Sequence, residues 1–357
     1  MSYPSFSLEQ LKAVTAKHSD IIISETDSGA LLFTTYGARL LGLFPERNGH
    51  NLLWVYAHVE ESMRTGQWLT GGERLWIAPE KYFYYENPRD FEGFHVPAGI
   101  DPGSYAHLAD LTFGNEFSVL NYSTNETYDE CIQKRVFSQL EDPYQTGLAY
   151  AGVSITDMVS FPAPDLDIAA WSLSQVYTCG PERNGTVLFP MKSSGRILSY
   201  FSPIPPDRAE VCNQYGRFKI DSNAWYKMAI RPEDTKEDNP CKLVYVSPDP
   251  TTDAWHCLIK RSDDIPLTQD QCVDAPRENP QGEKGAIQSY NNAPGYTGTD
   301  TVLYGELELQ LKKGASGNGK TVSEATHELL GYTASKEDIL SLAKKALGTD
   351  SIPELYV

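Results

Sequence analysis

The feature that most constrains this chain is a long succession of short apolar or alternating runs, each broken by Gly, Pro, Asn or Asp. Examples are DIIISE, ALLFTTYGARLLGLF, FSVLNYS, KLVYVSP and TVLYGELELQL. Many strands at short spacing, without a helix between successive pairs, favour antiparallel sheets over parallel βαβ units. All-β domains longer than about 200 residues are common. The chain is therefore predicted to be mostly β, with one domain over residues 1–357.

Two helices are predicted, one near each end of the chain. A capping-box pattern at Ser7 predicts a helix over about 7–18. Ser335 precedes an amphipathic segment that Gly348 ends, which predicts a helix over about 335–347. Both helices are expected to be peripheral packing elements.

The charge and hydropathy patterns exclude several classes of partner. The chain has 48 acidic and 30 basic residues, for a formal charge of −18, and it lacks the basic patch of a nucleic-acid-binding protein. No run approaches the roughly 20 apolar residues of a membrane helix. The N-terminus lacks the basic start and apolar core of a secretory signal. We therefore expect a cytoplasmic protein with no nucleic-acid or membrane partner, and the oligomeric state does not follow from the sequence.

The six cysteines are scattered, with no CxxC motif and no Cys/His pair at the spacing of a zinc site. Disulfides persist in oxidising compartments, which the N-terminus does not indicate, so reduced and partly buried thiols are expected. The chain also lacks a P-loop, a dinucleotide fingerprint, HExxH and an EF-hand loop. The sequence predicts no cofactor and no metal.

The segment 68–80, WLTGGERLWIAPE, places Arg74 after paired glycines and among acidic residues and indoles. A guanidinium can donate two parallel hydrogen bonds to adjacent hydroxyls, and an indole can cover the apolar face of a pyranose. Arg74, Glu73, Trp76 and Glu80 are therefore candidate sugar-binding residues. The alternative is a loop-to-strand turn in which Arg74 pairs with Glu73 or Glu80 and Trp76 joins the core.

Strict alternation in TVLYGELELQL (301–311) puts leucines on one face and Tyr304, Glu306 and Glu308 on the other. The leucine face must belong to the core. The opposite face is either exposed to solvent or the floor of a cleft, and two carboxylates beside a tyrosine suit both.

Two further segments carry candidate residues. Trp171 and Gln175 alternate with small residues in AAWSLSQVY, a stripe that suits either a sugar site or half-buried core packing. His256 lies in DAWHCLIKR. A lone histidine is more often structural than catalytic, but imidazole is suited to proton transfer near neutral pH.

Taken in order, these segments resemble the galactose mutarotase-like (aldose 1-epimerase) superfamily. The resemblance rests on YGARLLGLFP, NLLWV, GGERLWIAPE, AAWSLSQV, YGELELQL and THELLGY, over roughly 20–335, and is most specific at GGERLWIAPE. It implies a β-supersandwich of large antiparallel sheets, one of them concave and holding a sugar. It also implies interconversion of sugar anomers, in which a carboxylate takes the anomeric hydroxyl proton and an acid, usually histidine, protonates the ring oxygen.

By this resemblance the catalytic carboxylate falls on Glu306 or Glu308, with Glu306 preferred, and Arg74 binds sugar hydroxyls. The chain departs from the family at the acid, because the corresponding strand reads AWSL at 170–173 and has no histidine. His256 could replace that acid only if its strand reaches the same cleft.

Three functions remain open. The first is an aldose 1-epimerase-like isomerase that uses Glu306 and His256. The second is a non-catalytic protein that binds a small sugar or oligosaccharide through Arg74, Trp76 and Trp171. The third is a glycoside hydrolase or lyase on the same fold, in which hydrolysis needs two carboxyl groups about 5–9.5 Å apart. All three require Arg74 and the acidic face of 301–311 to share one cleft.

Overall fold

The computed structural model describes residues 6–178, 184–237, 241–294 and 303–356. Within these ranges the helices are α1 (Leu8–Thr15), α2 (Val59–Arg64), α3 (Glu80–Phe83) and α4 (Lys336–Leu347). The strands of the first half are β1 (Ile21–Glu25), β2 (Ala30–Thr34), β3 (Arg39–Phe44), β4 (Glu73–Ala78), β5 (Tyr85–Asn87), β6 (Glu92–Phe94), β7 (Ala106–Ala109), β8 (Thr112–Asn121), β9 (Glu126–Gln139), β10 (Ala149–Phe161) and β11 (Ala169–Tyr177). Those of the second half are β12 (Gly185–Pro190), β13 (Ile197–Ser199), β14 (Ala209–Val211), β15 (Tyr215–Ile220), β16 (Tyr226–Ile230), β17 (Lys242–Pro248), β18 (Trp255–Arg261), β19 (Ile287–Asn291), β20 (Tyr304–Lys313), β21 (Ala315–Gly317) and β22 (Lys320–Ala334).

Two large antiparallel sheets contain nearly all of these strands. The front sheet has the order β1-β2-β3-β4-β11-β20-β19-β16-β13. The back sheet has the order β14-β15-β12-β17-β18-β22-β10-β9-β8-β7, with β21 paired to β22. Strands β5 and β6 form a separate ribbon. The predicted fold class, mostly β with large antiparallel sheets and short terminal helices, is confirmed.

The core between the sheets follows from the alternation along the strands. Leu307, Leu309 and Leu311 of β20 are fully buried, in one cluster with Phe137 and Ile155 of the back sheet. Burial of each leucine is worth about 1.5–3 kcal/mol. A shift of one residue in the register would turn the glutamates of β20 into this core. The leucines therefore fix which face the glutamates occupy.

Both predicted helices are present and begin where their caps lie. The Ser7 hydroxyl accepts the N–H of Gln10 at 3.3 Å, while the Gln10 side chain accepts the N–H of Ser7 at 2.9 Å, which completes the capping box. Helix α4 begins after Ser335 and ends at Gly348, whose φ of 62° is a conformation that glycine adopts readily.

The structure bears on two of the expectations about compartment, the lack of a membrane helix and the reduced state of the cysteines. None of the helices in the four ranges above is both long and apolar enough to cross a bilayer. The described cysteines, at positions 131, 212, 241, 257 and 272, are all free thiols. Cys179 lies outside the described residues.

Candidate functional site

The register of the front sheet turns residues from distant parts of the chain to one face. Residues directly opposite each other in an antiparallel pair point to the same side of the sheet. Arg74 and Trp76 of β4 lie opposite Leu173 and Trp171 of β11. Leu173 in turn lies opposite Glu308 of β20. The double-glycine segment and the late acidic strand therefore share a face, which all three functions considered from the sequence require.

Strand β16 adds a lysine to this face. Glu306 lies opposite Tyr290 of β19, and Tyr290 lies opposite Lys227 of β16. The Lys227 ammonium lies 2.9 Å from the Glu308 carboxylate and 4.4 Å from the ring centroid of Trp171. Each glutamate of β20 thus has a basic partner, Arg74 for Glu306 and Lys227 for Glu308.

This face is the floor of a cleft of about 590 Å³ that is open to solvent. Its lining includes aromatic side chains from several elements, namely Trp68, Trp76, Trp171, Phe201 and Trp225. The predicted site residues that line it are Arg74, Trp76, Glu80, Trp171, Glu306 and Glu308. The cleft therefore combines aromatic surfaces with charged hydrogen-bonding groups.

Arg74 is a buried residue of the cleft lining, and only part of its hydrogen-bonding capacity is used by other described residues. Its Nη2 donates to Glu306 Oε1 at 2.7 Å, and its guanidinium carbon lies 4.1 Å from the ring centroid of Trp76. Nε and Nη1 have no hydrogen-bond partner among the described residues. A buried donor without a partner is costly.

The two glutamates on the floor both have raised pKa values, and the rise has different opposing influences at each. Burial raises the pKa of Glu306 and of Glu308. For Glu308, burial outweighs the charge of Lys227, the neighbouring Glu306 adds to it, and the pKa reaches about 8. Like charges in close proximity push one carboxyl to keep its proton. Arg74 opposes this rise at Glu306, so Glu308 is the better candidate for the group that keeps its proton.

The indoles at the floor are held in place by buried contacts. Trp76 Nε1 donates to Asp101 Oδ2 at 2.8 Å, and Asp101 is held in turn by Arg39 at 2.7 Å. The Trp76 ring also stacks on Tyr84, with 4.7 Å between centroids. Trp76 and Trp171 are only 3 % and 2 % exposed. They form a rigid floor and expose little of their ring faces.

Glu73 does not line the cleft, which corrects its assignment as a sugar ligand. It lies next to Arg74 on β4, so its side chain points to the opposite face, between the sheets, where it is fully buried. Its Oε1 accepts from the Ser172 hydroxyl at 2.6 Å, and its Oε2 accepts from Arg135 at 2.5 Å.

Glu73, Asp157 and His327 are the group of described residues whose ligand atoms lie close enough together to hold a metal, within 4.8 Å of one another. Arg135 already lies between the two carboxylates, 2.8 Å from Asp157 and 2.5 Å from Glu73. His327 Nε2 lies 2.9 Å from Asp157, and Lys260 lies 3.8 Å from Glu73. Because both carboxylates are already paired with cations, the group fits an ion network that joins the sheets better than a metal centre.

Two other predicted residues also lie outside the cleft lining. Gln175 shares the face of Glu306 but is fully buried, and its amide atoms have no hydrogen-bond partner in the described part of the chain. His256 is on β18 of the back sheet, where its ring nitrogens contact Asp249 and Thr333, each at 3.0 Å. It lines a different cavity, of about 510 Å³. The assignment of His256 as the acid is therefore corrected, because its strand does not reach the cleft.

The cleft also contains charged groups that were not among the residues predicted from the sequence. Alternation in YKMAI (226–230) separates Lys227 from the buried Met228 and Ile230, and this signal was present in the sequence. Arg277 comes from the long 263–300 region and stacks over Phe201, with 3.9 Å from guanidinium carbon to ring centroid. No local pattern marks Arg277, because its role depends on where a loop returns to the sheet.

No family model matches this chain, and no curated protein matches it. Among solved structures, it is similar to a galactose mutarotase-like protein from Lactobacillus casei, with 12 % identity and a TM-score of 0.46 over 88 % of this chain and 99 % of that one. It is also similar to a candidate aldose 1-epimerase from Klebsiella pneumoniae, with 12 % identity and a TM-score of 0.44 over 93 % of this chain and 84 % of that one. Similarity at this level concerns the fold and not the reaction. These two are among the solved structures to which the chain is similar.

Proposed function

We propose that the cleft binds a carbohydrate and interconverts its anomers by general acid–base ring opening, as an aldose 1-epimerase-like isomerase does. One observation carries the proposal: the pairs Arg74–Glu306 and Lys227–Glu308 lie side by side on the floor of a cleft with aromatic walls. Aromatic surfaces beside charged hydrogen-bonding groups match the apolar faces and the hydroxyls of a pyranose.

In the proposed reaction Glu306 and Glu308 exchange protons with the two oxygens of the anomeric carbon. Glu306 accepts the proton of the anomeric hydroxyl, Glu308 gives its proton to the ring oxygen, and the bond from C1 to the ring oxygen breaks as the carbonyl forms. Rotation about C1–C2 presents the other carbonyl face. The reverse transfers then close the other anomer and restore both glutamates. Each such group contributes about 10²–10⁴-fold to the rate.

The spacing of the two glutamates suits this exchange. Positions i and i+2 of a strand lie roughly 6.5 Å apart along it and point to the same side. That distance leaves room for two oxygens of one carbon, each in a hydrogen bond of about 2.7 Å to a different carboxyl group.

The basic partners have separate roles in the proposal. Burial lowers the pKa of Lys227, but nearby carboxyl groups, Glu308 foremost and then Glu80 and Asp274, outweigh burial and raise it. Lys227 feels the full attraction of Glu308 once that group has given up its proton. It therefore stabilises the carboxylate that Glu308 becomes after it has given up its proton. Arg74, which lines the cleft, donates to sugar hydroxyls and orients the ring.

Two other functions, non-catalytic sugar binding and glycoside hydrolysis, are each favoured by a specific observation. Glu308 is only 1 % exposed, which favours a sugar-binding protein without chemistry. Glu80 of α3 lines the same cleft as Glu306 and offers the second carboxyl group that a glycoside hydrolase needs.

A panel of sugars distinguishes these functions. Calorimetry reports binding, polarimetry of freshly dissolved α-anomers reports mutarotation, and release of reducing sugar reports hydrolysis. The proposal requires at least one aldose that both binds and is mutarotated faster than in buffer. Binding without faster mutarotation would indicate the non-catalytic protein, glycoside cleavage would indicate the hydrolase, and no binding at all would refute the sugar site.

For compartment, we propose the cytoplasm, because the described cysteines are free thiols. Fractionation of cells that express the native protein tests this. Recovery with the soluble cytoplasmic proteins is expected, and recovery outside the cell would contradict it.

A further inference from the structure

The outer part of the cleft holds an indole that ring opening does not use. Trp225 lines the cleft and is 46 % exposed, whereas the indoles of the floor are almost completely buried. A tryptophan half exposed at the mouth of a cleft offers a large, flat, amphipathic surface to a ligand. The proton transfers at Glu306 and Glu308 leave this surface without a role.

The backbone beside Trp225 is fixed by a clamp from the neighbouring strand. Asn291 of β19 accepts the N–H groups of Asp221 and Ser222 at 2.8 and 2.9 Å. Its side-chain nitrogen donates to the carbonyl of Ala224 at 2.7 Å. These bonds tie the turn before β16 to the sheet that carries the catalytic floor.

The indole itself is also oriented. Trp225 Nε1 donates to Asn292 Oδ1 at 3.2 Å, so both the ring and its backbone are attached to consecutive residues at the end of β19. A contact surface that is ordered before binding loses little conformational entropy when a ligand arrives. Trp225 is therefore a fixed platform.

A second polar group accompanies this platform. Arg277 lines the same cleft, and its side chain is 35 % exposed. Its guanidinium stacks over Phe201, and Nη2 donates to the Tyr85 hydroxyl. Nε has no hydrogen-bond partner within the described ranges. The outer cleft thus repeats the combination found at the floor, an indole together with an arginine.

We infer that the outer cleft is a second sugar subsite and that the substrate is a reducing oligosaccharide of at least two rings. This rests on the proposed function. A ring whose anomeric carbon is in a glycosidic bond has no free anomeric hydroxyl, so only the reducing-end ring can open over Glu306 and Glu308. The next ring then lies on Trp225.

Calorimetry with matched sugars tests this inference. Glucose is compared with maltose, cellobiose and lactose, and xylose with xylobiose, for the native protein and for Trp225→Ala. At least one disaccharide is expected to bind about threefold to tenfold more tightly than its reducing-end monosaccharide. Trp225→Ala removes this difference, while Trp225→Tyr retains part of it. Leu267→Ala, which removes an apolar side chain that is 66 % exposed and outside the cleft lining, keeps the full difference.

Melting temperatures show whether each variant is folded. Equal affinities for monosaccharides and disaccharides, or a disaccharide preference that survives in folded Trp225→Ala, would overturn the second subsite. Either outcome would leave the proposed function standing, because monosaccharide binding and mutarotation do not require a second subsite. If neither class of sugar binds, the proposed function fails and the inference fails with it.

Discussion

Arg74 donates a hydrogen bond to Glu306 over 2.7 Å, and the two residues lie 232 positions apart in the chain. They belong to β4 and β20, which are separated in the front sheet by β11. The guanidinium thus reaches across a strand to the carboxylate that we assign as the base. Both side chains are almost completely buried. A buried pair of this kind depends strongly on each partner.

Replacement of Arg74 by alanine is expected to weaken both the fold and the site. The change leaves Glu306 buried without its cation, at a cost of about 3–5 kcal/mol in the free energy of unfolding. It also raises the pKa of Glu306 further, because Arg74 is the largest influence that lowers it. Urea unfolding and mutarotation rates measure the two effects. Unchanged stability and rate would show that the ion pair has neither role.

The rate of mutarotation is expected to fall as pH rises above about 8. Glu308 is the proposed acid and must hold its proton, and its pKa is raised to about 8 by burial. Above that pH the protonated fraction falls about tenfold per pH unit, and the rate follows it. Polarimetry across the range from about pH 6 to 10 measures this limb. A rate that is level up to pH 10 would exclude Glu308 as the acid.

Arg135→Ala is expected to cost about 3–5 kcal/mol of unfolding free energy, because Glu73 and Asp157 would remain charged between the sheets without a cation. Urea unfolding measures the loss. The matched control is Arg64→Ala, which breaks an exposed pair with Glu61 on α2 and should have little effect. Equal losses in both variants would contradict the assignment of the buried network as a structural support.

Asp157 makes the stability of the protein sensitive to acid. Burial opposes its ionisation, but Arg135 and His327 outweigh burial and hold its pKa at about 2. An aspartate in an unfolded chain has a pKa of about 3.9. Because the folded value is the lower one, the contribution is present above about pH 4 and is lost as the pH falls toward 2, in total about 2 kcal/mol. Unfolding free energies measured over this range should fall less steeply for Asp157→Asn, and identical slopes would contradict the prediction.

Strand alternation made much of the site predictable. The leucines of β20 must face the core, so Glu306 and Glu308 had to share the opposite face. The glycines and indoles around Arg74 marked it as a candidate. Alternation does not show which strands are neighbours in a sheet. It therefore could not show whether the face with the two glutamates is exposed to solvent or forms the floor of a cleft.

The errors have separate physical causes. Glu73 was assigned to the site although alternation places it on the opposite face from Arg74. His256 was a reasonable acid by residue type, but the sheet to which its strand belongs is decided by long-range pairing. Arg277 reaches the cleft from a loop, and its place depends on tertiary packing that no local pattern encodes.

The most direct test of the central claim is the mutarotation rate of Glu306→Gln, measured by polarimetry on an aldose that the native protein binds, with binding checked by calorimetry. We expect the folded variant to bind the sugar still but to lose at least about 10²-fold of the acceleration. A folded variant that retains the native rate would show that the carboxylate beside Arg74 does not take the anomeric proton.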